Sequence, residues 1–206
     1  MKKKLITGIF VSILVLSSNI CTAGLMGVYQ IKVTSAFTGW DPWLQLSEVV
    51  ATETGSGNDL ALSAEGATVT SSGDYVGAGD LSHDWYTIDG TGPSSYYAVS
   101  GIFHSNSYNG SEFLTVQFAS PVELDSITLF GRTDTAYYRD IYNIELFAFN
   151  GDSLFTATSL DATGNNHSVS IALPDTAPVP EPATTLLFGT GLIGLAGARF
   201  GKKKKK

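Results

Sequence analysis

From residue 24 to residue 176, apolar side chains recur at every second position in short runs, and nothing of helical length and period interrupts them. The runs are "VYQIKV" (28–33), "WLQLSEVVA" (43–51), "FLTVQF" (113–118), "SITLFG" (126–131), "IYNIELFAF" (141–149) and "HSVSIAL" (167–173). A period of two sends successive side chains to opposite faces of a strand, so each run has one face to bury and one to leave in water. Clusters such as "TGSGND", "EGATVTSSGD" and "DGTGPSS" lie between the runs and favour turns. Short strands separated by Gly-rich turns predict an all-β, antiparallel sandwich or jelly roll. The segment has the size of one domain.

Both ends of the chain read as addresses rather than as parts of that domain. Lys2, Lys3 and Lys4 precede an apolar stretch, Leu5 to Leu16, and Cys21-Thr22-Ala23 supplies small residues before Gly24. This is the pattern of a cleaved signal peptide, residues 1–23. If Cys21 leaves with it, no cysteine remains for a disulfide, a zinc thiolate or a thiol nucleophile. At the other end, 177–182 is a Pro-rich linker containing Pro180-Glu181-Pro182. An apolar segment, 183–200, follows and then a basic tail, 201–206. Ala183 to Ala198 carries no charge and at about 1.5 Å per residue is just long enough for one membrane-spanning helix, with the lysines held on the cytoplasmic side. Gly189, Gly191 and Gly194 match G-x-G-x-x-G, but a dinucleotide site needs a strand before and a soluble βαβ unit around it, which this tail lacks. The three-part tail resembles the PEP-CTERM sorting signal of Gram-negative bacteria. The resemblance implies an exosortase-type membrane protease as partner, transient anchoring in the inner membrane, and release to the cell surface or outside, often alongside exopolysaccharide.

Charge narrows the function classes. Residues 24–182 hold all nineteen acids against three cations, Lys32, Arg132 and Arg139, a formal −16. Such a surface repels phosphate backbones and excludes nucleic acid as a partner. It is compatible with divalent cations.

Within the domain, "IDG" (88–90), "GIFHS" (101–105), "EFLTVQFASPVELDSITLFGRTD" and "YRDIYNIELFAFNGD" resemble the core of a discoidin, or coagulation factor 5/8 type C, domain. Departures from that pattern include Gln117 and Gly131, and there is no cysteine pair after Asp134. The resemblance implies a galactose-binding-like sandwich. The first strands look like the family's closing strands and "NDLALSAEGATVTSS" like its opening, as in a circularly rearranged version, which antiparallel sandwiches tolerate when their termini are close.

"GRTDTAYYRD" (131–140) holds two of the three domain cations. Fucose-binding lectins of the family carry a His and later Arg-x-Asp-x4-Arg; His104, Arg132, Asp134 and Arg139 match, and the resemblance implies a ligand site there. Guanidinium forks suit sugar hydroxyls, and an aspartate between them holds their orientation. The competing reading is a structural ion-pair cluster, with Asp134 and Asp140 as the local partners. The same lectins bind calcium beneath the DG loop, and Asp89 and Glu48 match those positions; calcium takes six to eight oxygens of the kind carboxylates and turn carbonyls supply. Against that, Asp-Gly is an ordinary turn dipeptide. Trp43 is expected in the core, and at least one of Tyr137 and Tyr138 at the surface. With no G-x-S-x-G or H-E-x-x-H motif, the domain is expected to be no enzyme, although a carboxylate-pair glycosidase is a third option. The leading expectation is a surface or matrix protein that binds carbohydrate, such as exopolysaccharide; the alternative is a structural biofilm protein without a small ligand.

Overall fold

The computed structural model describes residues 24–75, 77, 81–98, 101–164 and 166–176. The expected signal peptide, the sorting motif Pro180, Glu181, Pro182 and the expected membrane helix lie outside the described residues. Among the described residues nine strands follow one another: β1 (Leu25–Ser35), β2 (Gln45–Leu46), β3 (Glu48–Glu53), β4 (Thr68–Ser71), β5 (Phe103–His104), β6 (Phe113–Phe130), β7 (Ile141–Phe147), β8 (Ser153–Asp161) and β9 (Ser168–Ala172). All strand pairings are antiparallel. Among the described residues the only helices are short 3₁₀ turns, so the all-β expectation holds.

Two of the predicted runs join. "FLTVQF" and "SITLFG" are the two halves of β6, eighteen residues long. Its register against β1 jumps from Gln30↔Gln117 to Val28↔Val122. Pro121 lies in the gap, and a proline has no N–H to give a ladder, so regular pairing stops and the strand can bend there. The first half of β6 lies between β1 and β4, with Val116 opposite Ile31 and Val69. The second half lies between β3 and β9, with Ile127 opposite Ala51 and Ile171. Beyond β1 come β7 and then β8. One cluster of buried apolar residues takes side chains from both halves of β6 and from β1, β3 and β7. The hydrogen-bonded sheet therefore closes over a single core, as a sandwich does.

Alternation is cleanest in β7, where Tyr142, Ile144 and Leu146 are buried and their neighbours are not. Three strands were not anticipated, the two-residue β5 among them. β4 lies inside a stretch read as turn, and β8, "SLFTATSLD", is an edge strand with no fully buried side chain. Edge strands need no strong apolar alternation, which is why β8 left little trace in the sequence.

Both ends of the domain leave from one place. The Thr176 hydroxyl donates to the Gly24 carbonyl at 3.1 Å and accepts from the Met26 amide at 3.0 Å, while the Gly24 amide donates to Glu123 at 2.9 Å. From there β1 carries the chain over eleven residues, roughly 35 Å at ~3.3 Å each, to a far end built from loops.

Ile127 is fully buried where β3, β6 and β9 meet. Ile127→Ala should lower stability by about 2–5 kcal/mol through lost burial and an unfilled cavity. Thr156→Ala, on the exposed side of β8, should stay within about 0.5 kcal/mol. Urea unfolding with an unchanged denaturant slope checks both.

Candidate functional site

The far end of the sandwich is organised by Asp140. β6 ends at Phe130, and the loop 131–140 returns to β7. Asp140 is fully buried at the foot of that loop and accepts the Arg132 backbone N–H at 2.8 Å. Gly131 is required here because a Cβ at that position would collide with the Asp140 carboxyl. Tyr142, also buried, donates its hydroxyl to the Gln45 carbonyl at 2.7 Å and ties β7 to β2. Burial pushes the Asp140 carboxyl up to about 8, with Arg132 acting in the opposite direction.

On this base the four residues expected to form a site come together. Arg132 is buried, and its Nε donates to Asp134 Oδ1. Asp134 Oδ2 also accepts the Tyr96 N–H at 2.9 Å, and the Arg132 guanidinium lies 5.4 Å from the Tyr96 ring centre. Despite desolvation, these hydrogen bonds and the Arg132 charge hold the Asp134 carboxyl below its usual range. Arg139 pairs with Asp41, from the loop after β1, and also donates to the Tyr138 hydroxyl at 3.2 and 3.0 Å. Asp140 meets the backbone of Arg132, and Asp41 was not foreseen as a partner at all.

His104, on β5, is largely buried, and its Nδ1 lies 2.9 Å from the Ser105 carbonyl. Nδ1 therefore carries the proton and Nε2 is left as acceptor. Burial pushes its pKa down to about 4, and Arg132 and Arg139 add to this, so the ring is neutral at physiological pH. Around it stand the rings of Trp43, Tyr75 and Tyr96, with centres 4.8, 4.9 and 5.6 Å away. Trp43, expected in the core, is instead half-buried in this aromatic group and 4.7 Å from the Tyr108 ring. Tyr137 and Tyr138 are both exposed.

The sequence signal for the missed Asp41 was "GWDPW" (39–43). Two tryptophans flanking an Asp-Pro turn form no strand pattern, and they supply Trp40, Asp41 and Trp43 to this end. The arrangement offers aromatic faces, a neutral imidazole and two guanidinium–carboxylate pairs. Its chemistry is that of hydrogen bonding and ring stacking.

Glu48 and Asp89 meet at the same end. Glu48 is almost fully buried; its Oε2 accepts the Gly92 N–H at 3.1 Å, and its Oε1 has no hydrogen-bond partner. Gly90 and Gly92 both have φ near +76°, which lets the loop place its amides over the carboxylate. Asp89 closes an Asx turn on Thr91, with bonds of 2.9 and 2.7 Å. Burial raises the Glu48 carboxyl to about 7, opposed by the Gly92 and Gly90 amides and assisted by the charges of Asp89 and Asp59. Among the described residues, no three His, Cys, Asp or Glu side chains converge as a metal site.

Comparison with known proteins adds one finding. Residues 178–203 match the family model of the PEP-CTERM protein-sorting motif. No curated protein matches the chain significantly, and no solved structure does.

Glu48 and Asp140 hold their protons to a higher pH in the fold than in the unfolded chain. The stability they contribute is full below the ordinary carboxyl range and is lost as pH rises through about 7 and about 8. His104 has the opposite sign, but acts only below its ordinary value of 6.5. Between pH 6.5 and 8, without divalent cations, the thermal midpoint should fall as pH rises. Glu48→Gln should flatten the lower part of that slope. A midpoint that climbs across this window contradicts the assignment.

Proposed function

We infer from the PEP-CTERM motif that the protein is exported, held at the membrane for sorting to the cell surface and processed by an exosortase. We propose that the protein delivered in this way is a discoidin-like carbohydrate-binding module whose ligand, such as an exopolysaccharide, docks at the loop end around His104, Arg132, Asp134 and Arg139. The observation that carries this is the gathering of those residues with Trp43, Tyr96 and Tyr108 at one end of an all-β sandwich. The chain leaves toward the sorting motif from the other end, beside Gly24 and Thr176. A ligand end a strand length from the point where the described chain ends suits a surface module.

One observation favours a structural matrix protein without a small ligand. Arg132 and Arg139 are each already paired with a carboxylate, Asp134 and Asp41. Arg132→Ala would strand Asp134 and cost about 3–5 kcal/mol under either reading, so the decision falls to Arg139. Arg139→Lys keeps a charge near Asp41 but loses the planar fork. Under the carbohydrate reading, glycan-array retention should fall about tenfold while the unfolding midpoint holds. A wild-type protein that retains no glycan leaves the matrix reading standing.

Calcium beneath the 89–92 loop is part of the same proposal. The unpartnered Glu48 Oε1 and the nearby Asp89 charge fit a hard cation, with turn carbonyls completing the oxygen set. Calcium there would neutralise buried carboxylate and rigidify the loop. At a hundredfold excess over Kd it should stabilise the fold by about 2.7 kcal/mol. The thermal midpoint should rise with calcium and not with magnesium at equal ionic strength; no response to calcium leaves Asp89-Gly90 as a turn alone.

A further inference from the structure

We propose that the ligand is an uncharged glycan and that it is met by the aromatic ledge of Trp40, Trp43 and Tyr108, with the Asp41 carboxylate accepting a sugar hydroxyl. This rests on the carbohydrate reading above and moves the point of contact outward from the residues that resemblance selected.

Trp40 is 82% exposed and Tyr108 54%. They border an open hollow of about 250 Å³ whose other walls are Trp43 and Asp41. A second hollow of about 260 Å³, lined by Asn106, Ser107, Tyr108 and Asn109, adjoins it across Tyr108. Apolar ring faces beside amide and hydroxyl groups match a sugar ring, whose C–H face stacks on an aromatic plane while its hydroxyls reach the rim. An indole left in water forgoes a large burial that such a ligand restores.

Asp41 adds an independent observation. It is 95% buried, Arg139 holds its Oδ2, and its Oδ1 has no donor. A buried carboxylate oxygen without a donor is unfavourable; Asp41 lines the hollow, and a small shift of its loop on binding would let a ligand hydroxyl supply one.

The charge of the ligand follows from where the cations are used. Arg139 is paired with Asp41 and Arg132 with Asp134, within a segment of formal charge −16. Among the described residues the third cation, Lys32, lies over the Phe113 ring, and no Lys or Arg lines either hollow to receive a uronate, a sulfate or a pyruvyl group. An anionic chain would be desolvated against like charge, whereas a neutral chain loses nothing by the same surroundings.

Affinity electrophoresis of the purified full chain tests this, through gels containing a neutral β-glucan, a neutral galactomannan or polygalacturonate as the anionic probe. The expected result is retardation by a neutral polymer and none by polygalacturonate. Trp40→Ala and Tyr108→Ala should each weaken it about tenfold, with the unfolding midpoint unchanged because both side chains are exposed. Retardation by polygalacturonate alone overturns the neutral ligand and leaves carbohydrate binding intact. Neutral-polymer retardation undiminished in both variants overturns the ledge and leaves the earlier site. Retardation by none of the three overturns this inference; if a glycan array still shows retention, the carbohydrate reading survives it, and if not, both fall.

Discussion

Four of the other six strands in the main sheet hydrogen-bond directly to β6, and the remaining two reach it through β1. That continuous ladder, with its break at Pro121, is what the rest of the structure depends on. A straight eighteen-residue strand would hold all its partners in one layer and leave one face of that layer wet. The interrupted register changes the neighbours of β6 along its length: β4 lies beside it before the break, β3 and β9 after it, and β1 continues past the break with its register shifted. The side chains of both halves then share one core.

The same strand sets the position of the loop end. β6 delivers the chain at Phe130 beside Glu48, and Gly131 and Asp140 close the loop that carries Arg132 and Arg139. A buried carboxyl clasping a backbone amide is a demanding foundation, since burial disfavours its charge. It leaves the guanidinium groups free of any duty to the backbone. Their partners are carboxylates instead, Asp134 within the same loop and Asp41 from the turn after β1. In a domain with so few cations, each of these pairs also limits how much positive charge this end presents, and here that is very little.

The two termini of the described domain meet at the opposite end. Thr176, two residues before the matched sorting motif, is hydrogen-bonded to Gly24 and Met26 at the start of β1. The tail thus leaves from a fixed point on the sheet. The aromatic end lies a strand length away, so processing near the motif need not disturb it.

What the sequence determined by itself was local or compositional. Alternation in "IYNIELFAF" gave β7 with its buried face correct, because a half-buried strand writes its environment into every second residue. The tail motif and the acid excess were legible because neither needs a partner in space. The grouping of His104, Arg132, Asp134 and Arg139 was also anticipated, through resemblance. Tertiary structure decided the rest. That "FLTVQF" and "SITLFG" are one strand depends on neighbours on both edges, and β8 exists because β7 offers it an edge. That Arg139 takes Asp41, nearly a hundred positions away, and that Trp43 joins His104 rather than the core, follow from which loops the closed sheet brings together. Pairing across such distances is set by where the strands end in space, and a one-dimensional pattern carries no record of that.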